Sequence, residues 1–216
     1  MSFKKDKYLV IKKAIPKDVA IFVFNYFVLK RLVTKTLLDT KYISPFETAF
    51  GQFGDMQVPN TYSHYADIAM ETLLLRVHPL MEKITKLKLL PTYSYARLYK
   101  NGDVLNKHKD RFSCEISATL NLGGDPWPIF IETNQKIGHY ENDVYKPGST
   151  KGKQIILQPG DMLVYRGELL EHWRERFKGD ECAQVFLHYN NAETENAKGN
   201  YFDGRPHVGL PNWFKK

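Results

Sequence analysis

The stretch NKHKDRFSCEISATLNL (Asn106–Leu122) sets the frame for the rest of the chain. Its second half alternates: Ile116, Ala118, Leu120 and Leu122 are apolar, while Ser117, Thr119 and Asn121 between them are polar. Period two is the mark of a strand with one face in a core and the other against something polar. Just upstream, His108 and Asp110 stand two residues apart. In an extended chain, residues i and i+2 point to the same side. One imidazole nitrogen and one carboxylate oxygen would therefore meet a common point, which is two thirds of a metal site.

Working outward, the half of the chain after Pro91 reads as short strand-like segments. They are TYSYARLYK, VLNKHKD, CEISATLNL, PIFIET, KQIILQP, DMLVYRG, EHWRERF and AQVFLHYN, separated by turn signals such as NGD, GGDPWP, KPGSTKG, PGD and KGDE. About eight such strands suffice for a double-sheet jelly roll. Before them the pattern differs. YLVIKKAIP reads as a short strand with Pro16 opening a helix, and Asp18 to about Asp39 is helical in period. SPFETAFGQFGDMQVPN reads as loop. Ser63 is the expected cap of a second long helix, with a break or kink at Pro79. The expected class is α+β with a mainly β core: a double-stranded β-helix, or jelly roll, covered by N-terminal helices. One domain is expected over 1–216. It divides into a helical support region at 1–90, a jelly-roll core at 91–190 and a tail at 191–216. The tail is read as either a loose end or an arm folded over the barrel mouth.

Composition narrows the function classes. A 216-residue chain with 43% hydrophobic and 13% aromatic residues can bury a real core. The formal charge of +7 and pI of about 9.2 allow an acidic partner, but the lysines are scattered rather than gathered into a patch. Two cysteines indicate no disulfide framework. The N-terminus lacks the apolar core of a signal peptide, and no apolar run approaches the roughly 20 residues that span a bilayer. The expected compartment is therefore cytoplasmic.

The third ligand of the site is read as His172, 64 residues after His108 and at the start of a strand. Distant strands lie side by side in a jelly roll, so that separation can close in space. Two histidines and one carboxylate on one face of an octahedron leave three open positions, the arrangement of non-haem ferrous oxygenases. His108-x-Asp110 followed by His172 near the end of a strand-rich half resembles the 2-oxoglutarate- and Fe(II)-dependent oxygenases. Within them the likeness is to the prolyl-4-hydroxylase-like group, over roughly Tyr93 to Asn190.

The resemblance implies that His108, Asp110 and His172 hold Fe(II). It further implies that 2-oxoglutarate is consumed with O2 to give succinate while an unactivated C–H is hydroxylated, with ascorbate as an auxiliary reductant. A prolyl residue in a peptide is the leading candidate substrate, and a free amino acid or other small metabolite would look the same. The far carboxylate of 2-oxoglutarate needs donors inside the barrel. Tyr99, nine positions before His108, matches a tyrosine that the prolyl hydroxylases use there, and Thr119 falls where relatives place a hydroxyl. Relatives usually carry a basic residue about ten positions after the distal histidine, whereas this chain has Cys182. Arg174, two residues past His172, is the expected substitute, followed by Arg97 and then Arg176. Gln184 and His188 are inward candidates on the last strand, and Arg111 and Glu115 are candidates to pair or to orient Asp110. Two other classes stay open at this point: a cupin-like metal-dependent hydrolase or isomerase, and a non-catalytic jelly-roll binding module. A nucleic-acid demethylase ranks below both, because CAQVFLHYNNAE lacks the arginine pair of those enzymes.

Overall fold

The structure is a computed structural model and describes residues 2–142 and 144–215. The chain runs through α1 (Phe3–Asp6), β1 (Tyr8–Ile11), α2 (Lys17–Asp39), β2 (Tyr62–Tyr65) and α3 (Ile68–Thr85) before entering the strand-rich half. There follow β3 (Leu89–Lys100), β4 (Leu105–His108), β5 (Ile116–Gly124), β6 (Ile129–Ile131), β7 (His139–Glu141) and β8 (Val144–Lys146). The last strands are β9 (Lys153–Ile155), β10 (Met162–Arg166), β11 (His172–Arg174) and β12 (Glu181–Asn191). Each of the eight strand segments read from the sequence overlaps one of these strands.

Two antiparallel sheets form the jelly roll. The larger has the order β1-β10-β5-β12-β3-β2 and the smaller β4-β11-β6-β9. Alternation assigns the faces. From β3, β5, β10 and β12, residues such as Ala96, Leu98, Ala118, Leu120, Val164, Val185 and Leu187 pack in one buried cluster with Phe27 of α2 and Met70, Leu74 and Met81 of α3. The opposite residues, among them Tyr95, Tyr99, Tyr165, Cys182 and Phe186, join clusters that include the smaller sheet or its loops. The helices thus cover one face of the larger sheet and leave its polar face to the barrel interior.

The first 90 residues are less helical than their sequence suggests, because β1 and β2 close both edges of the larger sheet. Ser63 is not a helix cap. It lies in β2, paired with Arg97, and His64 lies in the same strand. Asp67 caps α3 instead, accepting from the amides of Ala69 (2.9 Å) and Met70 (3.1 Å). The helix also continues through Pro79, which sits on the exposed face where water can replace the lost amide. His139 opens the β7–β8 hairpin.

The tail is an arm folded back on the barrel. Its 3₁₀ segment Lys198–Gly204 packs on β3. Arg205 is anchored on Glu71 of α3, with Nη2 donating to Oε1 at 2.8 Å and Nη1 to Oε2 at 3.2 Å, both side chains almost fully buried. Arg205→Ala would leave Glu71 buried without its cation, and breaking such a pair costs about 3–5 kcal/mol. The expected result is a lower urea midpoint with an unchanged slope. A midpoint matching the wild type would show that the arm adds nothing to the barrel.

Candidate metal centre and co-substrate chamber

β4 and β11 are neighbours in the smaller sheet, and their register sets His108 opposite His172. The two rings lie with centroids 4.2 Å apart. Asp110 sits just beyond the end of β4 rather than within the strand, its amide donating to the Gly167 carbonyl at 2.9 Å. Its Oδ1 nonetheless reaches the same point, 3.5 Å from His172 Nε2 and 3.7 Å from His108 Nε2. One ligand atom from each of the three residues lies within 4.8 Å of the others.

The tautomers suit ligation. His108 Nδ1 is 2.8 Å from the Asn106 carbonyl and His172 Nδ1 is 2.9 Å from the Leu170 carbonyl. A carbonyl only accepts, so each Nδ1 carries the proton and each Nε2 turns a lone pair toward Asp110. Burial, and then the neighbouring His172, push His108 down to about 4. Burial opposes the charge on Asp110, but the two imidazoles hold its carboxyl below the usual range. At neutral pH His108 therefore offers a neutral nitrogen and Asp110 an anionic oxygen, with His172 Nε2 beside them.

His188 is likewise pushed down to about 4, chiefly by burial. Below the ordinary histidine value of 6.5 the unfolded chain takes up protons that these two folded imidazoles refuse until about pH 4. Stability of the metal-free protein should fall as pH drops through that window. Melting temperatures between pH 7 and pH 4.5 measure it, and His188→Asn should flatten the slope. A melting temperature constant over that range would contradict the buried, neutral assignment.

A cavity of about 440 Å³ opens onto the triad. Tyr95, Arg97, Tyr140, Tyr165, Phe186 and His188 are among its walls, with Asp55 and Gln57 contributed by the loop before β2. Tyr95 and Tyr165 thus face the cavity as well as packing the barrel. No described residue of the tail lines it. Arg111 and Glu115 do not pair with each other: Arg111 bonds Asp203 of the arm and Glu115 pairs with Arg166.

Farther along β11 lies Arg174, 1% exposed. Its guanidinium stacks 5.0 Å from the Trp127 ring, and Nη1 donates to the Trp127 carbonyl at 2.5 Å. Nε and Nη2 have no hydrogen-bond partner, and no carboxylate among the described residues pairs with it. Burial pushes its pKa down, while Cys182, Tyr99 and Tyr165 lie close enough to oppose that. Thr119 Oγ1 and Gln184 Oε1, from the interior face of β5 and β12, are also buried and unpartnered. Tyr99 is fully buried, edge-on to Trp127 at 4.7 Å. Arg97 differs from Arg174 in being neutralised: Asp55 accepts from its Nε (2.5 Å) and Nη2 (3.1 Å). Arg176 is exposed.

Several solved structures share this architecture. A prolyl-4-hydroxylase of Pseudomonas putida matches with TM-score 0.52 and 14% identity over 88% of this chain and 95% of its own. The epimerase SnoN, in complex with Fe3+, alpha ketoglutarate and nogalamycin RO, matches with TM-score 0.60 and 12% identity, covering 88% and 81%. HygX of Streptomyces hygroscopicus, with nickel, 2-oxoglutarate and hygromycin B bound, matches with TM-score 0.57 and 14% identity, covering 93% and 94%. The chain shares their fold. No protein-family model and no curated protein matches the sequence. At such identities the likeness establishes the jelly-roll fold alone, and the chemistry rests on the side chains above. Among the described residues, no helix is long and apolar enough to cross a membrane.

Side chains that the sequence reading passed over are Asp55, Gln57 and Tyr140 of the cavity wall and the contact of Ser117 with Asp110. The loop carrying Asp55 and Gln57 was legible as a loop. Their inward direction was not, because no periodic pattern governs it.

Proposed function

We propose that the chain is an Fe(II)- and 2-oxoglutarate-dependent dioxygenase that hydroxylates an unactivated C–H bond. His108, Asp110 and His172 hold the metal, and Arg174, with Tyr99 and Thr119, holds the far carboxylate of the ketoacid. The observation that carries this reading is the unpaired guanidinium of Arg174. A buried cation with two unused donors is costly, and a dicarboxylate bound between it and a metal removes that cost. The donor set fits as well: two imidazole nitrogens and one carboxylate leave positions for a bidentate ketoacid and O2.

When bound, iron and ketoacid supply an oxidant that places one atom of O2 in the substrate C–H bond, the ketoacid leaving as succinate and carbon dioxide. The chain's own side chains position and exclude water. The Nδ1–H bonds to Asn106 and Leu170 fix the imidazoles. The substrate cavity is rich in rings, Tyr93, Tyr95, Tyr140 and Phe186 among them, against which a pyrrolidine packs well. That supports a prolyl residue in a peptide as the leading substrate, with a small metabolite as the competitor.

Anaerobic addition of Fe(II) and 2-oxoglutarate to the metal-free protein tests the reading. A metal-to-ligand charge-transfer band should appear and should be absent in His172→Ala. A wild-type protein that gives no band would overturn it. Ketoacid-dependent oxygen uptake then separates an oxygenase from a hydrolase or isomerase using the same three ligands.

A further inference from the structure

We infer that Ser117 and His188 form a positioning relay that turns the Asp110 carboxylate so that Oδ1 faces the two imidazoles. The inference rests on the triad being the metal site. Ser117 Oγ lies 2.8 Å from Asp110 Oδ2 and 3.0 Å from His188 Nδ1. A hydroxyl has one proton to give, and an ionised carboxylate can only accept. The Cys114 carbonyl, 3.0 Å from the same hydroxyl, competes for that proton. The charged and nearer acceptor wins, because charge-assisted bonds are the stronger ones. His188 must then donate its Nδ1–H to Ser117. The proton order is His188 Nδ1–H to Ser117 Oγ, and Ser117 Oγ–H to Asp110 Oδ2.

The fold is built around this chain of three. Ser117 and His188 are partners across β5 and β12, and both are buried, at 0% and 5% exposure. The Tyr93 ring packs 4.7 Å from His188 and limits its rotation. Gly167 presses from the other side: a Cβ there would stand 2.3 Å from Asp110 Oδ2 and 2.8 Å from Ser117 Oγ. Only a residue without a side chain leaves room for the relay. With Oδ2 engaged in this way, Asp110 offers the metal a single oxygen, and the sites for ketoacid and O2 remain free. Both act on the metal through Asp110, so they are positioning residues.

The test is a Co(II) titration read by visible absorption, a measurement that needs no turnover. Ser117→Ala and His188→Phe should weaken Co(II) by about 10- to 100-fold and change the ligand-field bands. His188→Asn, whose amide N–H can replace Nδ1–H, should stay near wild type in both. Far-UV circular dichroism establishes folding, and if Ser117→Ala does not fold, the His188 pair decides alone. Co(II) affinity and spectrum unchanged in folded His188→Phe would overturn the relay while leaving the triad intact. A wild-type protein that binds no Co(II) would sink the triad, and the relay with it.

Discussion

Asp110→Ala is expected to reduce 2-oxoglutarate turnover to background, even with stoichiometric iron. Asp110 is the one anionic member of the group, its Oδ1 3.5 Å and 3.7 Å from the two imidazole Nε2 atoms. Without it the two imidazole nitrogens alone bind a divalent ion weakly, and the charge balance at the metal changes. Carbon dioxide release from labelled 2-oxoglutarate measures the loss, and the anaerobic charge-transfer band should vanish in parallel. Asp110→Asn separates charge from shape, since it keeps an oxygen but removes the charge and should fail as well. Turnover retained in Asp110→Ala would refute the assignment of the centre.

Arg174→Met should give two effects of opposite sign. The KM for 2-oxoglutarate should rise by roughly 30-fold or more, because truncating one side of a buried, hydrogen-bonded charge pair costs about 2–5 kcal/mol. The ligand-free protein should be no less stable than wild type, and by the same logic more stable. Its buried guanidinium has no carboxylate partner to lose, and methionine fills similar space without a charge. Arg97→Met should behave in the opposite way. It strands Asp55, which bonds Arg97 through both oxygens, so the protein loses stability while the ketoacid KM moves less. Steady-state kinetics on 2-oxoglutarate and thermal melts with and without it read both quantities. An unchanged KM in Arg174→Met would remove it as the anchor and return the question to Tyr99, Thr119 and Gln184.

Strand content was plain in the residue pattern because period two is a local property. CEISATLNL assigns its own faces, and the apolar members of β5 do pack under the helices. The same holds for α2, whose length was read to within a residue at its start. Weak or exposed segments were not readable. Tyr62–Tyr65 looks like the approach to a helix until β3 supplies its hydrogen bonds, and β7 and β8 carry mostly exposed side chains with no apolar rhythm. The cap of α3 shifted from Ser63 to Asp67 for the same reason, since a strand partner outside the local window claimed Ser63.

The sequence by itself determined a jelly roll and nominated two histidines and an aspartate, because alternation and short spacing depend only on neighbours along the chain. Tertiary structure decided which arginine stays without a counterion and which serine meets the aspartate. Both answers depend on side chains 40 or more residues away: Asp55 reaches Arg97 and leaves Arg174 alone, and His188 reaches Ser117. Charge pairing and proton order are properties of a closed three-dimensional neighbourhood, so they become defined only once the two sheets have come together.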